Sequence, residues 1–157
     1  MPIRIFSFVI AFAALANLAV ADRCCWDEKD PVKVTLVVIL ASEEGNTIDK
    51  RLTKVAEEVQ KLHPKLKSFT YKSEERQSLK PNEKVSMLCV DEKTAEIVIK
   101  HGADKDNRVS LSVKPPDMNK IDYQSVCGKF LPIVTPCKTK KGECVILLIR
   151  VEPCRGN

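Results

Sequence analysis

Val32-Lys33-Val34-Thr35-Leu36-Val37-Val38-Ile39-Leu40 is the stretch on which the fold turns. Apolar and polar residues alternate at its start, and from Val37 the run is continuously apolar. Alternation suits a strand covered on one face, and an unbroken apolar run suits one covered on both. The pattern therefore predicts a strand opened by Pro31 that is half covered at its start, buried on both faces at its end and central in a sheet. The other strongly apolar stretch is Val145-Ile146-Leu147-Leu148-Ile149, near the far end of the chain. If both lie near the middle of a sheet, the two ends of the domain meet.

Between them lies one well-signalled helix. Ser42-Glu43-Glu44-Gly45 reads as a loop leading to Asn46 or Thr47 as cap, and Ile48, Leu52, Val55, Val59 and Leu62 then recur at helical spacing. Lys54/Glu58 and Glu57/Lys61 are oppositely charged pairs four apart, as suits a solvated face. His63-Pro64 stops the helix, because the residue before proline is pushed out of helical geometry. Everything after Pro64 reads as strands and turns: 66–72, with Phe69 and Tyr71 on one face, then 85–90, 95–100, 108–114, 121–127, 130–137 and 145–151. The segment 91–94 is a tight turn, Pro115-Pro116 ends a strand, and 138–142 is the last hairpin tip. The expected class is α+β, with one amphipathic helix packed on a mainly antiparallel sheet or small sandwich of about seven to eight strands.

The N-terminus has the grammar of export. A short positive segment, Met1-Pro2-Ile3-Arg4, precedes the largely apolar run 5–20, and Leu18-Ala19-Val20-Ala21 offers small residues where a signal peptidase requires them. The run is short for a membrane span of roughly 20 residues, so stable membrane insertion after cleavage is not expected. The predicted organisation is a signal peptide 1–21, a Cys-rich leader 22–31 containing the only tryptophan, Trp26, a single α+β domain 32–154 and a tail 155–157. The product is expected to be secreted or periplasmic.

Composition excludes one large class of partner. The chain carries 26 Lys+Arg against 21 Asp+Glu, a net charge of +5, with both signs interspersed. No clustered basic face suits a phosphate backbone, and five Phe, two Tyr and one Trp make no stacking platform. Nucleic acid is therefore not an expected partner.

All seven cysteines follow the signal: Cys24, Cys25, Cys89, Cys127, Cys137, Cys144 and Cys154. In an exported chain they read as a disulfide framework, and the odd count leaves one thiol free or paired between molecules, which permits a homodimer. Meeting ends would bring Cys154 to the Cys24-Cys25 leader. Cys137 and Cys144 flank a hairpin and could face one another across it, Cys127 would take the other leader cysteine, and Cys89, in a row with Val85 and Met87, would stay a buried free thiol. No C-x-x-C occurs, and His63 and His101 are remote in sequence from any cysteine pair, so neither a metal site nor any other cofactor is expected.

Catalytic signatures are missing. There is no G-x-S-x-G, Gly-rich phosphate loop or H-E-x-x-H, and both histidines occupy element boundaries. The reading is therefore not an enzyme. Thiol–disulfide redox activity is the alternative that the cysteines raise, without the C-x-x-C spacing that carries it. Asp104-Lys105-Asp106-Asn107 has the carboxylate spacing of a calcium loop but not its later glycine and glutamate, and reads as a polar turn. Lys138, Lys140 and Lys141 make a basic hairpin tip available for surface contact.

Two resemblances enter here. Gln124-Ser125-Val126-Cys127-Gly128 resembles the Q-x-V-x-G hairpin motif of cystatins, which implies cysteine-protease inhibition as an alternative function. The motif lies some 60 residues beyond the helix, and no second-loop Pro-Trp accompanies it. More broadly, Leu40-Ala41-Ser42, Ile48-Asp49-Lys50-Arg51-Leu52, Val55-Ala56, Val59 and Cys127-Gly128-Lys129-Phe130-Leu131-Pro132 resemble a group of small exported bacterial proteins with no established role. That resemblance implies one exported α+β domain and carries no catalytic residue over. The expected function is an exported, disulfide-supported interaction or structural module acting on a protein or cell-envelope partner.

Overall fold

The computed structural model describes residues 28–153. The expected signal peptide 1–21, leader residues 22–27 with Cys24 and Cys25, Cys154, and the tail 155–157 lie outside the described residues. Within them, β1 (Val32–Ser42) is followed by a 3₁₀ turn (Lys50–Leu52) and α1 (Thr53–Leu62). Seven strands complete the chain: β2 (Ser68–Leu79), β3 (Lys84–Val90), β4 (Lys93–His101), β5 (Arg108–Lys114), β6 (Ile121–Val126), β7 (Phe130–Lys138) and β8 (Cys144–Pro153).

The eight strands form two four-stranded antiparallel sheets, ordered β2-β1-β8-β7 and β3-β4-β5-β6. The fold is α+β, with one short helix laid on the first sheet and the second sheet covering that sheet's other face. Strand β1 shows why. Val32, Val34, Leu36 and Val38 enter the inter-sheet core, while Val37, Ile39 and Ala41 pack with the helix residues Leu52, Ala56 and Val59. Strand β8 repeats the division, with Val145, Leu147, Ile149 and Val151 on the sandwich side and Ile146 and Leu148 on the helix side. An unbroken apolar run is what period-two geometry requires of a strand with a layer on each side. Their register, Val32 opposite Pro153 and Ala41 opposite Cys144, brings the two ends of the domain together.

The second sheet is a simple meander, and its inner face is supplied by alternation. Ala95, Ile97 and Ile99 of β4 and Val109, Leu111 and Val113 of β5 are buried in the same core. On the outer side Ser112 donates to the Asp122 carboxylate, and Lys100 reaches the same group at 2.9 Å.

Three expectations needed correction. The helix does not start at Asn46 or Thr47: Asp49 Oδ1 accepts from the Arg51 N–H at 3.0 Å and caps the 3₁₀ turn, from which α1 continues. Ile48 instead forms an isolated bridge with Phe69, and Leu62 is 80% exposed, so neither belongs to the buried stripe. The strand expected at 66–72 runs on to Leu79, because β1 offers partners along its whole length, down to Val32 opposite Leu79. Its polar second half is an edge facing solvent, where charged side chains discourage further strand addition. The bridge expected between Cys137 and Cys144 is not formed: Lys138, not Cys137, stands opposite Cys144, Cys137 faces the inter-sheet core and Cys144 the helix layer.

The Asp49 cap carries a pH dependence. Hydrogen bonds from the Arg51 side chain and backbone hold the Asp49 carboxyl down at about 2, against an ordinary 3.8. A depressed carboxyl stabilises the folded state above its ordinary value, and the contribution disappears as pH falls toward the folded value. Asp49→Asn, which keeps an acceptor but no titrating group, is therefore expected to flatten the acid limb of a melting-temperature profile between about pH 4 and 2; a limb identical to wild type would remove the assignment.

The chain ahead of β1 is fixed by a close approach. Gly102 N donates to Glu28 O at 2.8 Å, and a side chain at Gly102 would place its Cβ 2.6 Å from that same oxygen. Only glycine leaves room for the leader's last described residues to lie on the β4–β5 loop.

Candidate functional site

A cleft of about 660 Å³ lies at the end of the first sheet where β1 finishes. Three stretches that are distant in sequence build it: Ala41 to Glu44 at the end of β1, Leu62 to Leu66 at the end of α1, and the β7–β8 hairpin. The helix stops there because the His63 N–H closes the last bond, to Val59 O at 2.8 Å, and Pro64 follows. The Gln60 side chain then donates to Leu66 O at 2.9 Å, which holds the turn against the helix.

The opposite wall is set by the hairpin tip. Gly142 has φ +83°, a left-handed position where a Cβ is penalised. Its N–H donates to Thr139 O at 2.9 Å. The Thr139 hydroxyl accepts from Lys141 N and Glu143 N at 3.3 and 3.2 Å and lies 3.1 Å from Glu143 Oε2. With the tip fixed in this way, Lys138 and Lys141 line the cleft, whereas Lys140 is not among its lining residues. Glu43 and Glu44 supply the opposite charge, His63 and Lys65 stand at the helix end, and the exposed Leu62 gives an apolar lip.

Cys144 also lines this cleft, half-buried, with its thiol toward Thr135 O at 3.4 Å. Burial lifts it above the ordinary thiol value, the Lys138 ammonium pulls the other way, and neighbouring Cys137 adds to the rise. Cys89 and Cys127 share this character. Burial pushes Cys89 up to about 11 and raises Cys127 as well. A raised thiol holds little thiolate at neutral pH, the opposite of what nucleophilic or exchange chemistry requires. Cys89, Cys127, Cys137 and Cys144 are all free, Cys89 and Cys137 deep in the inter-sheet core.

The remaining sequence candidates are scattered. His101 lines a separate recess of about 190 Å³ with Glu28, Asp104 and Arg108, so the two histidines serve different surfaces. Asp104 Oδ1 accepts from Asp106 N and Arg108 N, both at 2.9 Å, and so is occupied in closing its own turn. Among the described residues no group of three or more His, Cys, Asp or Glu side chains is placed to hold a metal ion, and no helix is long and apolar enough to cross a membrane. Gln124 to Val126 lie in β6 of the second sheet, and Cys127-Gly128 carries the chain over to β7 of the first. The segment is thus a crossover between sheets and not a hairpin joining neighbouring strands.

Sequence reasoning found Lys138 and Lys141 but not the cleft. Its walls come from three separated stretches, and the one local hint was Leu62, an apolar residue at the helix end that the buried stripe does not use. The fold and the cleft define a helix-backed antiparallel sandwich with an open groove at one end. No family model, curated protein or solved structure matches the chain.

Proposed function

We propose that the protein is an exported, secreted or periplasmic, interaction module that seats a segment of a protein or cell-envelope partner in the cleft between the end of α1 and the β7–β8 hairpin. The observation that carries this reading is the convergence of Leu62, Lys138, Lys141 and Glu43 on one open groove, an apolar lip flanked by charges of both signs. A polypeptide presenting an apolar side chain between acidic and basic groups complements it. Apolar anchors ringed by charge are how protein interfaces divide affinity from specificity. The raised thiols weigh against redox exchange and nucleophilic catalysis. The crossover geometry of Gln124 to Gly128 weighs against a cystatin-like wedge, which uses a hairpin.

The test compares wild type with the triple variant Leu62→Asp, Lys138→Glu, Lys141→Glu, all at surface positions that a folded control by circular dichroism will show intact. A partner recovered from the native medium or envelope by wild type is expected to bind the variant at least on the order of tenfold more weakly in direct titration. Equal binding would move the site elsewhere. Blockade of a papain-like protease that survives in the variant would favour the inhibitor, and reduction of insulin disulfides would favour the redox protein.

A further inference from the structure

We infer that the outer face of the first sheet, where β1 begins, binds a tetrahedral oxyanion, a phosphate or sulfate group, between Arg76 and Arg150 over the Thr35 hydroxyl. The site is separate from the cleft, about 20 Å back along β1 from Ala41. Strand alternation places it. Val34 and Leu36 enter the inter-sheet core, so Thr35 between them points to the outer face, and Ile149 and Val151 settle Arg150 in the same way. Thr35 stands opposite Arg76 of β2 on one side and Arg150 of β8 on the other. Arg150 in turn stands opposite Phe130 of β7, so these four residues form one row across the face. The helix residues pack with Val37, Ile39 and Ala41, further along it.

Two polar atoms in this row lack partners. Thr35 is 1% exposed, and among the described residues neither its hydroxyl nor the Arg150 Nε, also buried, has a hydrogen-bond partner. A buried donor left unpaired costs free energy that a ligand can return. Both cross-strand neighbours of the hydroxyl are arginines, so its cover includes long, flexible side chains that an anion can draw to itself. Arg150 is already steadied from the side, its guanidinium carbon 4.8 Å from the Phe130 ring centroid, a cation–π contact that supplies no oxygen acceptor.

The charges select the ligand. Lys33, Arg76 and Arg150 are set against Glu74 and Glu152, which leaves one positive charge in excess. Glu152 stands 3.8 Å from Lys33 Nζ and 3.6 Å from Arg150 Nε, beyond the roughly 2.7–3.2 Å of a hydrogen bond. Glu74 holds Arg76 in a surface pair, a kind of contact that exchanges at little cost. Two guanidinium forks, about 10 Å apart at Cα across two strand spacings, and a hydroxyl between them present donors from three directions. A tetrahedral oxyanion accepts from all three, whereas a planar carboxylate has two oxygens to offer. A single excess charge suits one such group and not a nucleic acid backbone.

Thermal melts and calorimetric titration of the full chain with inorganic phosphate and sulfate, against acetate and chloride at matched ionic strength, test this. Wild type is expected to bind phosphate and sulfate saturably and acetate about tenfold more weakly, and Arg150→Gln to lose about tenfold for both tetrahedral anions, the loss of one charge-assisted contact. Thr35→Val keeps the shape and removes the hydroxyl, so it should melt higher than wild type in chloride and gain less from either anion. General salting-out by sulfate raises both proteins alike and cancels in that difference. Equal gains in wild type, Thr35→Val and Arg150→Gln overturn the site. So does a phosphate titration whose amide NMR shifts centre away from Thr35, Arg76 and Arg150, a measurement that needs wild type alone and stands even where a variant does not fold. Phosphatidylcholine vesicles containing phosphatidic acid separate the sources of the group: capture by them that Arg150→Gln abolishes, without a response to inorganic phosphate, assigns it to a lipid headgroup. No response to phosphate, sulfate or the vesicles overturns the site.

Discussion

Leu147→Ala is expected to lower the stability of the domain by about 2–5 kcal/mol, read as an earlier denaturant midpoint with an unchanged slope. Leu147 is fully buried, on the strand that lies between β1 and β7, opposite Val38 on one side and Ile133 on the other. Its side chain fills the space between the sheets, and the chain crosses between them only at β2–β3 and β6–β7. The two sheets therefore hold each other mainly through that apolar layer. A cavity there weakens both at once, so the loss is global, a large fraction of the roughly 5–15 kcal/mol that a small domain possesses. Leu62→Ala serves as the control: the same truncation at a position 80% exposed should shift stability by no more than about 0.5 kcal/mol. Equal effects at the two positions would contradict the burial on which the two-layer core is argued.

The same strands show why the fold was legible in sequence. Val37 to Leu40 and Val145 to Ile149 have no polar residue at any second position, which only a strand with a layer on each side tolerates. Arg108 to Lys114 alternates cleanly because one face of β5 meets the core and the other meets Asp122 and solvent. The second half of β2 was illegible for a physical reason. Lys72 to Ser78 carries no apolar rhythm, since that edge is held in the sheet by backbone bonds to β1 and not by side-chain burial. The start of the helix misled for a related reason: Ile48 has helical spacing to Leu52, yet its backbone is drawn to Phe69 of β2.

The candidate site was much less legible. The basic tip is local, and Lys138 and Lys141 could be read from the hairpin grammar around Gly142. The cleft depends on three stretches meeting, which periodicity does not encode. The cysteines illustrate the same limit: counting residues puts Cys137 and Cys144 at matching ends of a hairpin, but the pairing sets Lys138 opposite Cys144, so Cys137 is one position out of step and faces the other side of the sheet. A one-residue slip is enough to do this, because successive side chains on a strand point to opposite sides.

Phe69→Ala is expected to cost about 3–5 kcal/mol and to act on the helix layer first. Phe69 is fully buried with Leu52, Ala56, Val59 and Leu66, and its backbone also holds the approach to the helix, donating to Thr47 O at 2.8 Å and accepting from Asp49 N at 3.0 Å. Alanine keeps those two bonds and removes the ring, so the loss is one of packing between α1 and the first sheet. The inter-sheet core lies on the other face and touches none of it. Amide exchange should therefore accelerate across α1 and 47–49 well before it does in β4 and β5, as a layer with its own small core opens below the global threshold. The cleft would loosen with it, because Leu62 to Leu66 form one of its walls. Uniform acceleration through β4 and β5 would mean instead that the helix and the sandwich open as one unit, and that the first sheet transmits a cavity on its outer face directly to the core on its inner one.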